Sequence, residues 1–245
     1  MPLDLPSVIG HRGAADSAPE NTLAGFRRAA ELGARWVEFD LRLTGDGQPV
    51  LFHDDGLRRI TGASGRVADK SLEEIRDLDA GAWFSPAFAG EAIPTLAEAL
   101  TLLATLGLGI NIEIKPDQGR EDETARIGLG EAQRLWPDHL PVPLISSFSH
   151  AALHAAQAVV PHWPRGLLAS RLPRDWPDLV ADYGCSSINL DHRHLTPEVV
   201  DKLRLAGLDV LAYTVNDPRR AVTLWNWGVL SVFSDCPDRL LKARQ

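Results

Sequence analysis

The sequence predicts an α/β fold, a (β/α)8 barrel, on three observations. Short β-rich runs alternate with amphipathic helical stretches along the whole chain, the runs number eight, and 245 residues is the length that eight strand–helix units need. Alternation also fits a doubly wound open sheet. The GxGxxG fingerprint expected after the first strand of such a sheet is absent, however, and so is a Walker loop. No repeat, low-complexity tract or linker divides the chain, so it reads as one domain over 1–245.

The candidate strands are Ser7–Gly10, Trp36–Leu43, Gly109–Lys115, Val142–Phe148, Arg165–Ser170, Ser186–Leu190, Asp209–Val215 and Leu230–Ser234, each bounded by Gly, Pro, Asp or Asn. The first helix, Thr22–Leu32, sets Leu23, Phe26 and Ala30 on one face. After the second strand, Thr44–Gln48 signals a hairpin with a return arm at Pro49–Phe52. A four-residue loop at Gly45–Gln48 would pair Thr44 with Pro49 and set His53 opposite Asp40. The stretch 55–94 is too long for a plain connection and reads as an insertion, with a helix at Ser71–Leu78 opened by the capping box Ser71-x-x-Glu74. Helical patterns follow at Leu96–Leu106, Glu121–Trp136, Ala151–Val160, Pro197–Leu205 and Pro218–Trp227. Glu121–Glu123 is a dipole-favourable first turn, and Ser149 is placed to cap the helix after it.

Composition narrows the function. With 33 acidic against 25 basic side chains the formal charge is −8, which argues against a nucleic-acid partner. Cys185 and Cys236 lie far apart with no CxxC, so neither a thiolate metal cluster nor a disulfide scaffold is indicated and a reducing, cytoplasmic setting is expected. No charged leader precedes an apolar run and no stretch approaches ~18 consecutive apolar residues, so a soluble chain without a membrane anchor is expected.

Strand parity locates the chemistry. In the second strand Val37, Phe39 and Leu41 take the helix-facing parity, which turns Trp36, Glu38 and Asp40 inward; in the third, Ile110, Ile112 and Ile114 face out while Asn111, Glu113 and Lys115 face in. Charges on interior parities are costly unless they pair, bind metal or sit at the open mouth. A buried Glu–Lys salt bridge accounts for one strand more easily than for two neighbours. Glu38, Asp40 and Glu113 together offer the hard oxygen donors suited to Mg²⁺ or Ca²⁺. Among 21 arginines and only 4 lysines, Lys115 marks a place where a compact point charge is wanted. His11 directly follows the first strand and His53 ends the return arm of the hairpin, so two imidazoles, a cation, Arg12 and Lys115 can surround one anion. That set suits phosphodiester hydrolysis, in which one proton must leave the nucleophile and another must reach the departing alkoxide.

These motifs resemble the glycerophosphodiester phosphodiesterase family. His11-Arg12-Gly13, Pro19-Glu20-Asn21-Thr22, Glu38-Phe39-Asp40, Leu43-Thr44-Gly45-Asp46-Gly47, His53-Asp54 and Asn111-Ile112-Glu113-Ile114-Lys115 carry the resemblance in order and spacing. Ser146-Ser147-Phe148, Tyr213-Thr214-Val215-Asn216 and Ser234-Asp235 extend it over nearly the whole chain. The resemblance implies a (β/α)8 TIM barrel with a small insertion after the second strand, one divalent cation, and hydrolysis of deacylated phospholipids such as glycerophosphocholine or glycerophosphoethanolamine to sn-glycerol 3-phosphate and an alcohol. It further implies His11 and His53 as the catalytic pair, Glu38, Asp40 and Glu113 as metal ligands, and Arg12 and Lys115 as phosphate contacts. Tyr213 stands where the family often has tryptophan, and Cys236 where tyrosine is common.

Other residues carry weaker signals. Asn21 is expected to cap the first helix with Glu20 complementing its dipole, or orienting a group of the site. His150-x-x-x-His154 has zinc-helix spacing without the glutamate of HExxH; Asp191–His194 follows the sixth strand at the end where barrel chemistry lies, which allows a substrate contact, but reads first as a solvated loop. Trp225 and Trp227 read as packing residues, with Trp225 within reach of the rim. Lysophospholipase D activity on acylated substrates would need an acyl channel or a membrane-facing patch, for which Ala82-Trp83-Phe84 and Ala87-Phe88 are the candidates; a non-catalytic phosphodiester-binding barrel is the alternative from another class.

Overall fold

The computed structural model describes residues 3–244. The chain runs β1 (Val8–Gly10), α1 (Leu23–Glu31), β2 (Trp36–Leu43), β3 (Pro49–Leu51), α2 (Arg58–Thr61), α3 (Leu72–Arg76), α4 (Leu96–Leu106), β4 (Gly109–Ile114) and α5 (Glu121–Leu135). It continues through β5 (Leu144–Ser147), α6 (His150–Val159), β6 (Arg165–Ala169), α7 (Trp176–Tyr183), β7 (Ser187–Asp191), α8 (Pro197–Leu205), β8 (Asp209–Tyr213), α9 (Pro218–Trp227), β9 (Ser231–Ser234) and α10 (Pro237–Arg244). All strands but β3 are parallel, and β1 pairs with both β2 and β9, closing an eight-strand barrel; β3 is an antiparallel flap on β2. Helices α2, α7 and α10 add to those read from the sequence, and the last two each complete a strand–helix unit.

Parity works as the pattern demands. Val37, Phe39, Leu41, Ile110, Ile112 and Ile114 are buried against Phe26, Leu103 and Leu129 of the surrounding helices. At the opposite end from the strand C-termini, Trp36 packs inside with Ile9, Leu144, Leu211 and Phe233 and plugs the barrel. Its indole lies so close to β4 that a Cβ on Gly109 would fall 2.2 Å from the ring.

The hairpin differs from expectation by one residue. Leu43 pairs with Pro49 and Leu41 with Leu51, so Thr44 lies opposite Gln48 and the loop is only Gly45–Gly47. The left-handed Gly47 (φ 78°) completes a three-residue turn, and Thr44 Oγ1 accepts from the Gln48 amide at 2.8 Å. Phe52, not His53, therefore faces Asp40, its amide donating to the Asp40 carbonyl at 3.0 Å.

The segment 55–94 holds α2 and α3, the latter with the Ser71/Glu74 capping box, and builds a small core with β3 from Val50, Phe52, Leu57, Ile60, Val67, Ile75, Ala80 and Ile93. Trp83, Phe84 and Phe88 stack edge to face on one another, with Trp83 exposed. Trp225 lies at the barrel's N-terminal end, its indole N–H donating to the Ser7 carbonyl ahead of β1, and is remote from the rim. Among the described residues no helix is long and apolar enough to cross a membrane.

Candidate active site

The first catalytic candidate sits in a tight turn. Beyond β1 the backbone enters the left-handed region at Arg12 (φ 51°) and Gly13 (φ 95°), and a Cβ on Gly13 would meet the Gly25 backbone at 2.8 Å. The turn aims His11 inward. Its Nδ1–H donates to Asp235 Oδ1 at 2.7 Å, which leaves Nε2 on the cavity side, 4.0 Å from Glu38 Oε2. Asp235 is held in turn by Asn216, which donates to its Oδ2 at 2.7 Å and accepts from its amide at 2.9 Å. Burial draws the His11 pKa down, but the Asp235 hydrogen bond and the Glu38 charge reverse this and raise it.

Neighbouring strands β2 and β4 bring the carboxylates together, with Asp40 in register with Glu113. One oxygen each from Glu38, Asp40 and Glu113 lies within 4.8 Å of the others; among the described residues no other His/Cys/Asp/Glu group is so clustered, and His150 and His154 form no such set. Glu38 accepts from the Arg12 amide at 2.9 Å, and Glu113 from Lys115 Nζ at 3.2 Å. Glu38 Oε1 and Asp40 Oδ1 are nonetheless buried without any partner, a costly arrangement for ionised oxygens. Burial and repulsion by Asp40 push the Glu38 carboxyl well above the usual range. Asp40 is also buried, yet Arg12, His53 and Lys115 hold it below. Three carboxylates converging at this spacing, two of them with an oxygen that no hydrogen bond satisfies, fit a hard divalent cation; Lys115 Nζ stands 3.8 Å from Asp40 Oδ1, too far for a hydrogen bond.

Asn21 plays a part other than the one the sequence indicated, while Glu20 takes the second of its two, orienting a group of the site. The N-cap of α1 is Thr22, whose side chain accepts from the Gly25 amide at 3.0 Å. Asn21 is buried in the left-handed region (φ 55°), donating to Asp40 Oδ2 at 2.7 Å and accepting from the Asp40 amide at 3.1 Å. Glu20 accepts from Arg12 Nη1 at 2.9 Å, holding the guanidinium over the site with Nε 3.2 Å from Asp40.

His53 reaches the same centre despite the shifted register. Its Nδ1–H donates to Asp54 at 2.6 Å, and its carbonyl is gripped by Arg42 Nε and Nη2 at 3.1 and 2.9 Å. Burial lowers the His53 pKa, and Arg12 and Lys115 add to this against the opposing charge of Asp40.

A cavity of about 450 Å³ opens over these groups. His11, Arg12, Glu38, His53, Glu113 and Lys115 line one side; Phe148, Leu168, Asp191, His192, Arg193 and Tyr213 line the other. Asp191–Arg193 lines the mouth while staying open to solvent: Asp191 ends a barrel strand and its carboxylate pairs at 2.5 Å with Arg193, whose side chain is exposed. Trp83, Phe84 and Phe88 do not line this cavity, so the aromatic stretch gives it no acyl channel.

Two imidazoles, two cations and a carboxylate cluster at the C-terminal mouth of a (β/α)8 barrel define a phosphoric diester hydrolase. The chain belongs to the glycerophosphoryl diester phosphodiesterase family, whose model matches residues 11–239. It is 36% identical over 239 residues to a glycerophosphodiester phosphodiesterase of Caldanaerobacter subterraneus, covering 96% of each chain. It is 31% identical over 256 residues to one of Bacillus subtilis, covering 97% of this chain and 86% of that one. Among solved structures, an Oleispira antarctica phosphodiesterase in complex with the product sn-glycerol-3-phosphate superposes with a TM-score of 0.96 at 40% identity, covering 98% of this chain and 97% of the other.

Proposed function

We propose that this enzyme hydrolyses glycerophosphodiesters such as glycerophosphocholine or glycerophosphoethanolamine to sn-glycerol 3-phosphate and the free alcohol, with a divalent cation. The observation that carries the reading is a pair of histidines, each with Nδ1 tied to a carboxylate, facing one cavity that Glu38 and Glu113 of the carboxylate cluster also line. The product complex of the Oleispira relative supports the substrate class. Buried, unpaired Cys185 and Cys236 accord with a reducing, cytoplasmic setting.

Asp235 and Asp54 hold the proton of each imidazole on Nδ1, so each Nε2 is available to accept or, once protonated, to donate. One histidine takes a proton from the attacking water or glycerol hydroxyl; the other delivers one to the departing alkoxide. Arg12 and Lys115 bind the phosphoryl oxygens and oppose the charge that grows on them. Glu38, Asp40 and Glu113 would hold Mg²⁺ or Ca²⁺, which when bound supplies Lewis-acid polarisation of the phosphoryl group.

Release of glycerol 3-phosphate from glycerophosphocholine and glycerophosphoethanolamine, with and without EDTA, tests the reading. Metal-dependent turnover lost in His11→Ala and His53→Ala supports it, and undiminished turnover in either variant or after complete metal removal sinks it. An acylated lysophospholipid run alongside should turn over more slowly, since the aromatic stretch at Trp83, Phe84 and Phe88 does not line the cavity. Tight substrate binding with no product would mark a binding barrel instead.

A further inference from the structure

Arg59 of α2 touches neither the cavity nor the carboxylate cluster, yet it holds the supports of two residues that do. Its Nη1 and Nη2 donate to the two oxygens of Glu20 at 2.8 and 2.7 Å. Its Nε and Nη2 donate to the two oxygens of Asp54 at 2.6 and 3.0 Å. Glu20 holds Arg12, and Asp54 holds His53. The guanidinium also lies 5.9 Å from the Trp83 ring, which ties it to the far side of the 55–94 segment.

We propose that Arg59 is a positioning residue: by forking across Asp54 and Glu20 it fixes the His53 imidazole and the Arg12 guanidinium at once, so that the 55–94 segment completes a site whose reacting groups lie elsewhere. The proposal rests on the reading that His53 and Arg12 act on the phosphodiester.

Three features favour orientation over mere stabilisation. Arg59 is 43% exposed, and ion pairs so open to solvent add little to folding. Both contacts are two-pronged, a geometry that sets direction as well as attraction and that only a guanidinium can offer to two carboxylates together. Finally, Asp54 Oδ1 accepts from both His53 and Arg59, so the pose of Asp54 that serves the histidine is the one the arginine enforces. Groups that orient a metal ligand through one hydrogen bond are worth roughly 10- to 100-fold; Arg59 acts through one hydrogen bond more, on two groups at once, which sets the low end of that range.

The test uses the full-length, Mg²⁺-loaded enzyme with glycerophosphocholine. Arg59→Gln should lower kcat by about tenfold, while Arg59→Lys, whose ammonium engages one carboxylate at a time, should recover part of the loss. In ¹⁵N NMR the wild-type His53 should show a single Nδ1–H tautomer, replaced by a mixture in Arg59→Gln. Adding Arg59→Gln to Asp54→Asn should cost much less than it does alone. A purely structural role predicts a lowered Tm with kcat, tautomer and additivity unmoved, and that result overturns the proposal. Wild-type kcat in Arg59→Lys would overturn the two-carboxylate fork in particular, and this variant with the NMR signature serves if Arg59→Gln does not fold. His53→Ala and Arg12→Ala separate the two readings: turnover surviving in these defeats the functional assignment, whereas their loss beside an intact Arg59→Gln defeats only the positioning role.

Discussion

Replacing Asp235 by asparagine removes one charge and almost no volume from a residue that touches His11 without lining the cavity. Asp235 accepts from two donors, His11 Nδ1–H at 2.7 Å and Asn216 Nδ2 at 2.7 Å. An amide has one oxygen and one NH₂, so in either orientation it sets donor against donor on one side. If the NH₂ turns to His11, the imidazole must shift its proton to Nε2, the wrong tautomer for a base facing the cavity. The pair is largely shielded, with 17% and 27% of the two side chains exposed, so the full value of a hydrogen bond to a charged group applies. That is about 1.5–3 kcal/mol, or roughly 10- to 150-fold in kcat/KM. Burial would then act on His11 without the opposing carboxylate, so its limb of the pH–rate profile should move to lower pH. Asn216→Ala, which removes a support but leaves the charge, should lose about tenfold at most. The assay is kcat/KM against pH with saturating metal, beside thermal unfolding. A variant with intact Tm, kcat/KM within about twofold of wild type and an unmoved limb would refute the role assigned to Asp235.

Further outcomes follow from the same geometry. Glu38→Gln should abolish cation binding by calorimetry, and activity with it. In EDTA above about pH 8, where Glu38 would be ionised, it should raise Tm, because it removes a buried charge one of whose oxygens lacks a partner. The sign of the pH dependence is set by Glu38 itself: a carboxyl raised above its ordinary 4.5 binds more protons folded than unfolded, so metal-free wild-type stability should fall as pH rises above that value, and Glu38→Gln should flatten the decline. Asn21→Ala should cost about 2–4 kcal/mol in denaturant unfolding, from two lost hydrogen bonds to Asp40 and about 1 kcal/mol for a left-handed alanine, while Asn21→Gly should recover that last part. Gly109→Ala should lower stability by about 1–3 kcal/mol by overpacking Trp36 at the closed end of the barrel, with kcat unchanged below the transition.

Much of the site was legible because strand parity is a one-dimensional signal. Glu38, Asp40 and Glu113 stand out on inward parities amid Val37, Phe39, Ile110 and Ile112, and adjacent strands in sequence became adjacent strands in space. The supporting residues carry no such mark. Asp54 is visible only as a neighbour of His53, and Asn21 resembles a helix cap by type and place; its left-handed backbone, set by the turn after β1, is what sends its side chain to Asp40.

The sequence by itself determined the architecture, the inward carboxylates and the two rim histidines, since periodicity and motif order are local properties of the chain. Tertiary structure alone decided the rest. His11 meets Asp235, 224 residues away, only because the barrel closes and makes the first and last strands neighbours. Asp191–Arg193 becomes cavity wall because every strand C-terminus opens on one mouth, and Arg59 grips Asp54 and Glu20 because the 55–94 segment folds back on its own small core. Each depends on where the chain returns, which three-dimensional packing settles and linear spacing does not.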